Sequence, residues 1–260
     1  MSFRFLLDSN RNVNLASREH SLRSYYQTLY AAWGGQHWWP ARTRFEVVVG
    51  AYLTQNTSWS NVEIAMRRLR QAHVLSLAGF RKIALAELEG LIRSSGYFRQ
   101  KAARLKTFVA FVDERYGGSL WRMFAQPTHK LRQELLALNG VGPETADSIL
   151  LYAGQQPVFV VDTYTRRILE RHAILPANAP YEEIRGLFER SLADQAPLKN
   201  DTSAPRTDFA HPPSAMSIAR RSPVAQVYND MHGLIVGVGK HYCLKSKPRC
   251  EDCPLRRFLP

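Results

Sequence analysis

The sequence predicts an all-α protein, on three observations. Apolar residues recur at helical spacing along most of the chain, β-strand signals are sparse, and Pro, Gly, Ser and Asn punctuate the periodic stretches. The run FEVVVGAYL (45–53) is β-branched enough to suggest a strand, but its neighbours are helical in period, which makes it a buried helix. Over 61–72 the apolar positions Val62, Ala65, Met66 and Leu69 follow the i, i+3, i+4, i+7 pattern, with Ser60 and Glu63 spaced as a capping box. Residues 84–92, 100–112, 131–138 and 144–152 read as amphipathic helices. Residues 164–171, 181–192 and 227–238 continue the series, for about ten helices in all. The stretch 194–223 differs: it holds five prolines and little periodicity, and reads as an irregular insertion, a solvated loop with Arg220 and Arg221 near its end.

Charge narrows the partners. Thirty-five Lys and Arg against twenty-two Asp and Glu leave +13 over 260 residues, a balance that usually answers to a polyanion, most often nucleic acid. No run of about 20 apolar residues is present to span a membrane, and the first residues lack the long apolar core of a secretory signal. The expectation is a cytoplasmic, nucleoid-associated monomer. Cys243, Cys250 and Cys253 are the only cysteines; an odd, clustered set suits metal ligation better than disulfides.

The most informative segment is LLALNGVGPETADSILLY (135–152). An apolar helix ends, Gly140-Val141-Gly142 turns tightly, and Pro143 opens a second helix at the position where its missing N–H costs nothing. Glycines bring bare backbone amides to the surface, and with the positive end of the following helix they can hold one DNA backbone phosphate. Such a hairpin positions DNA without reading its sequence. Further on, VFVVDTYTRRIL (158–169) delivers Asp162 to the start of another helix, where alone it reads as an N-cap.

Together, LNGVGPETAD and VFVVDTYTRRIL resemble the helix-hairpin-helix DNA glycosylases related to endonuclease III. The resemblance extends to LTQNTSW (53–59), SGYFRQKAARL (95–105) and the cysteine-rich tail. Within that superfamily the chain is most similar to the bacterial 3-methyladenine glycosylase branch, through Trp38-Trp39-Pro40, the TQNT motif followed by Trp59, and Glu144. The resemblance implies a two-lobed fold: a six-helix barrel lobe over 36–156 carrying the hairpin, and a second lobe formed by 1–35 and 157–260. It implies that Asp162 is the catalytic carboxylate and that Gln55 fills the gap left by the flipped base. Gly140, Val141, Gly142 and Thr145 would hold the DNA backbone, helped by Lys245, Lys247 and Arg249 of the tail. Trp38, Trp39, Pro40, Trp59 and Glu144 would line the base pocket, although tryptophans in a helical protein are as readily core.

Two departures refine this. Bifunctional members carry a lysine where this chain has Glu144, and a carboxylate cannot form an imine, which implies a monofunctional enzyme that uses water. The tail reads Cys243-x6-Cys250-x2-Cys253, and the family's fourth [4Fe–4S] ligand falls on Leu259. Three readings stand: a cluster with an outside fourth ligand such as Asp252, a vestigial site, or, more weakly, zinc. The expected activity is removal of an alkylated purine from damaged double-stranded DNA in base excision repair. The alternatives are a glycosylase for oxidised pyrimidines or mismatched bases, and a non-catalytic helix-hairpin-helix binding module, for which a carboxylate at 162 has no use.

Overall fold

The computed structural model describes residues 2–198 and 210–260, so residues 199–209 of the expected irregular stretch lie outside the described residues. Every regular element among the described residues is helical. The α-helices are α1 (Ser2–Trp33), α2 (Arg44–Thr54), α3 (Trp59–Gln71), α4 (Leu77–Lys82), α5 (Leu85–Leu91), α6 (Phe98–Tyr116), α7 (Leu120–Phe124), α8 (Thr128–Leu136), α9 (Pro143–Ser148), α10 (Thr163–Arg171), α11 (Tyr181–Leu192) and α12 (Pro223–His241). Short 3-10 turns and one π segment link them. No helix among the described residues is long and apolar enough to cross a membrane.

The chain separates into two compact units. One, the hairpin unit, comprises Trp39–Gln156 and Ser214–Arg220; the other, the Asp162 unit, comprises Met1–Trp38, Pro157–Pro213 and Arg221–Pro260. In the hairpin unit α2 is the central rod, with residues 45–53 all buried. Three consecutive valines cost a helix roughly 0.6 kcal/mol each against Ala, while burying each side chain returns about 1.5–3 kcal/mol, so burial overrides propensity. The helix is started by a reciprocal cap: Thr43 accepts from the Glu46 amide, and Glu46 Oε2 accepts from the Arg42 amide at 3.0 Å. The capping box expected at Ser60 and Glu63 is not formed. The α3 helix begins at Trp59 behind Ser58, and Glu63 instead accepts from the Trp59 indole at 2.9 Å, one turn along the helix. The end of the irregular stretch is not a solvated loop throughout. Met216 and Ser217 are buried, and this segment bonds the Ala41 backbone through the Met216 amide (3.0 Å) and Ser214 Oγ (3.2 Å).

The Asp162 unit is built from α1 and α10–α12. The α1 helix buries Leu22, Tyr25, Tyr26, Leu29, Tyr30 and Trp33, a continuous helical stripe. The α12 helix is buried over most of its length. Before α10 runs the buried, irregular segment Val158–Val161, anchored where Phe159 stacks on Phe188 with ring centroids 4.1 Å apart.

Candidate functional site

Asp162 is the N-cap of α10. Its Oδ1 accepts from the Thr165 amide at 2.7 Å and from Thr165 Oγ1 at 2.8 Å. The apolar segment before it and the buried Thr165 after it hold the carboxylate in place, with its side chain 12% exposed. Oδ2 lies 3.6 Å from His232 Nε2 of α12. Burial holds the His232 imidazole below its ordinary pKa, although the neighbouring Asp162 charge pulls the other way. The cap is legible in the sequence; the histidine is not, because His232 sits in a helix rich in apolar residues, where it reads as a core residue.

The hairpin lies in the other unit. Gly140 has φ +78°, and a Cβ there would sit 2.0 Å from Arg104 Nε, so position 140 needs glycine twice over. The Val141 amide donates to the Leu138 carbonyl at 3.1 Å and its side chain is buried, so Val141 shapes the turn. Gly142 precedes α9 with an extended backbone (φ −91°, ψ 176°), and that helix start has no side-chain cap. Pro143 and Glu144 of this turn are exposed, whereas Thr145 is buried. Arg132 grips Asp147 in a bidentate pair (2.6 and 3.1 Å), which ties α8 to α9. Beyond Ser148 the helix continues as a π segment through Ala153, a widening that recurs at functional sites.

Gln55, at the end of α2, is folded onto this hairpin. Its Nε2 donates to the Gly140 carbonyl and to Thr145 Oγ1, both at 2.9 Å, and its Oε1 accepts from Arg104 at 3.2 Å. Arg104 therefore belongs to the hairpin surface, although the sequence pointed only to the motif around it. In the same motif Lys101 is buried, donates to the Leu53 and Ser95 carbonyls, and has its pKa pushed down to about 8 by burial.

The three tryptophans part company. Trp39 lies over Gly50 of α2, packed between Trp59 (5.2 Å, edge-on) and Tyr152 (5.2 Å), and is 6% exposed. Trp38, in the Asp162 unit, lies against Gly233 of α12. Trp59 and Pro40 are half-buried.

In the tail, Cys243, Cys250, Cys253 and Leu259 line one pocket with Arg171 and His172. Burial, then the neighbouring thiols, pushes the Cys253 thiol up. Arg171 donates to Cys243 Sγ at 3.2 Å, and Arg167 donates to the Cys243 and Gly239 carbonyls, so α10 holds the tail from its far end. Among the described residues no three His, Cys, Asp or Glu side chains converge on one ion position. A zinc site needs its sulfurs at about 2.3 Å from a single point, whereas cluster thiolates bind separate irons. Asp252 pairs instead with Arg249 at 3.1 Å, and both are exposed, as are Lys245 and Lys247.

Comparison with known proteins assigns the family. The model of the HhH-GPD superfamily of base excision DNA repair proteins matches residues 49–194. A Methanocaldococcus jannaschii protein named as a DNA repair glycosylase is 39% identical over 90% of this chain and 93% of its own length. Endonuclease III of Thermotoga maritima is 26% identical over 82% of this chain and 80% of its own length. Among solved structures, the Helicobacter pylori 3-methyladenine DNA glycosylase bound to 1,N6-ethenoadenine superposes with a TM-score of 0.68 at 26% identity, covering 86% of this chain and 97% of that one. A trapped endonuclease III–DNA covalent intermediate shares the fold (TM-score 0.67, 20% identity), covering 94% of this chain and 95% of that one. The chain belongs to the HhH-GPD superfamily of base excision DNA repair proteins.

Proposed function

We propose that this repair protein is a monofunctional DNA glycosylase that hydrolyses the N-glycosidic bond of a flipped, alkylated purine such as 3-methyladenine. The observation that carries the reading is the Asp162 carboxylate, held by a buried segment with one oxygen spent on the helix cap and the other left for chemistry. Glycosidic cleavage passes through a sugar with oxocarbenium character, and a fixed carboxylate beside it stabilises that cation and takes a proton from the attacking water. Glu144 supplies no amine for imine formation, so water is the nucleophile.

An N-alkylated purine is cationic and leaves readily; selection is the harder task. Flipping costs a few kcal/mol. A desolvated cation–π contact returns about 2 kcal/mol and stacking about 1–3 kcal/mol, enough to decide which base stays out. Trp59 and Glu144, the more open of the expected base-contacting residues, are assigned to touch the base, with Trp39 and Pro40 beside them in the hairpin unit. The hairpin amides, Gln55, Thr145 and the exposed Lys245, Lys247 and Arg249 are assigned to the DNA backbone and to the vacated stack. The test is a panel of duplexes with single lesions, read for strand breakage with and without hot alkali. Breakage at an alkylated purine only after alkali is expected; breakage without alkali, or release of oxidised pyrimidines alone, overturns the reading.

The three tail thiols are further proposed to hold three corners of a [4Fe–4S] cluster, which when bound would brace the basic loop. Anaerobically prepared protein should then be brown, hold about four irons per chain, bleach in air, and persist longer as Leu259→Cys. Colourless, iron-free protein after anaerobic preparation with iron and sulfide supplied overturns this.

A further inference from the structure

We infer that His232 is a positioning residue for the catalytic carboxylate: it closes on Oδ2 of Asp162 as a neutral hydrogen-bond donor and aims that oxygen at the sugar. This rests on the reading of Asp162 as the catalytic group.

The two carboxylate oxygens have different surroundings. Oδ1 is committed to Thr165 by two hydrogen bonds, which fixes one end of the carboxylate. The other end faces His232, whose side chain is 5% exposed and projects from the middle of α12. The ring is wedged. Phe159, three residues before Asp162, meets it edge-on at 6.2 Å, and Trp38 covers it at 6.4 Å. Gly233 lets Trp38 approach, because a Cβ there would stand 2.9 Å from the Trp38 Cβ. Close packing of these rings beside the imidazole restricts its rotamers. The gap of 3.6 Å is too long for a hydrogen bond, but sites of this kind tighten when substrate binds.

The imidazole's charge matters as much as its position. Stabilising an oxocarbenium ion needs a full negative charge on Asp162. A cation at 232 would form an ion pair with Asp162 and offset that charge; a neutral donor orients the carboxylate without doing so. Around His232 stand Asp162 from α10 and the rings of Phe159 and Trp38, with His211 and Lys240 on the far side of Trp38. On α12 itself Asp230 is buried, its carboxyl pushed up to about 7. Burial holds the imidazole below its ordinary value, in keeping with the neutral role.

The experiment measures single-turnover base release and affinity for a duplex carrying an inert abasic-site analogue, across about pH 5–8, where histidine titrates. In a folded His232→Leu protein the chemical step should slow by about 10- to 100-fold with affinity unchanged. His232→Gln should recover most of the rate and lose the part of the acid-side decline that comes from charging the imidazole. Wild-type turnover in His232→Leu, or equal losses in both variants in step with melting temperature, overturns the inference. Asp162→Asn in the same assay tests the underlying reading separately: if it keeps full turnover, Asp162 is not the catalytic group. An NMR titration decides the pairing without any turnover. The His232 imidazole should titrate at lower pH in Asp162→Asn than in wild type, and an unchanged titration overturns the pairing.

Discussion

The helices α9 and α10 start twenty residues apart and begin in opposite ways. The first turn of α9 follows a glycine with no side-chain cap, on an exposed, basic-flanked hairpin. The first turn of α10 is closed by its own carboxylate, which accepts two bonds from Thr165 and lies 3.6 Å from a buried histidine. Every helix start carries partial positive charge and amides without intrahelical partners. Leaving them open suits an anion from outside, here the proposed DNA phosphate; filling them fixes an anion from inside, here the proposed catalytic group. On that proposal the same backbone electrostatics serves positioning in one unit and chemistry in the other.

The largest effect should come from emptying the filled start of its charge while keeping its cap. Asn caps as well as Asp, so Asp162→Asn should fold normally, bind damaged DNA as wild type, and release base about 10²- to 10⁴-fold more slowly. Single-turnover kinetics beside a binding titration check this, and full turnover would remove Asp162 from the mechanism.

Next in size is filling the open start. Gly142 has the extended backbone of a cap, and a Cβ there would meet nothing within 4 Å, so Gly142→Asp should fold. It should give α9 the internal anion that α10 has, raising helix stability by a few tenths of a kcal/mol. DNA affinity should fall about 10-fold or more, equally for damaged and intact duplex, and the salt slope should drop by about 1. A loss confined to one lesion would show that the hairpin reads the base. Gly140→Val is a poorer probe: with φ +78° and Arg104 against it, the substitution should destabilise the fold itself by about 1–3 kcal/mol.

A borohydride trap tests the chemistry of the hairpin helix. Wild-type protein should give no covalent complex with lesion DNA, because position 144 carries no amine. A trapped complex would assign the work to another lysine.

The smallest effect is on stability against pH. Asp230 in the Asp162 unit has its folded pKa raised from 3.8 to about 7, chiefly by burial. The folded state therefore binds more protons, and its contribution is present at low pH and lost as pH rises through about 7. In the hairpin unit burial depresses Lys101 to about 8, so its contribution is present above the unfolded value and lost as pH falls through about 8. Asp230→Asn should flatten the acid-to-neutral fall in melting temperature, where each kcal/mol is worth about 2–4 °C. An unchanged profile would mean that Asp230 is not the group responsible.

Much of this was legible in the sequence. Helical period set the fold class, GVGP marked a turn followed by a helix start, and Asp before a polar first turn marked a cap; all three are local properties of backbone geometry. The α1 stripe from Leu22 to Trp33 carries the same period and was equally open to reading. What local pattern could not supply was pairing across the chain. Ser60 and Glu63 have capping-box spacing, yet the backbone turned helical at Trp59, too early for the box to form. Arg104 meets Gly140, Gln55 folds onto Thr145, and His232 faces Asp162 seventy residues away; only tertiary packing decides such contacts. The sequence by itself determined which residues could carry charge, turn or cap. The tertiary structure decided which of them meet, because burial and distance, on which the pKa of His232 and the setting of Asp162 depend, belong to the folded chain.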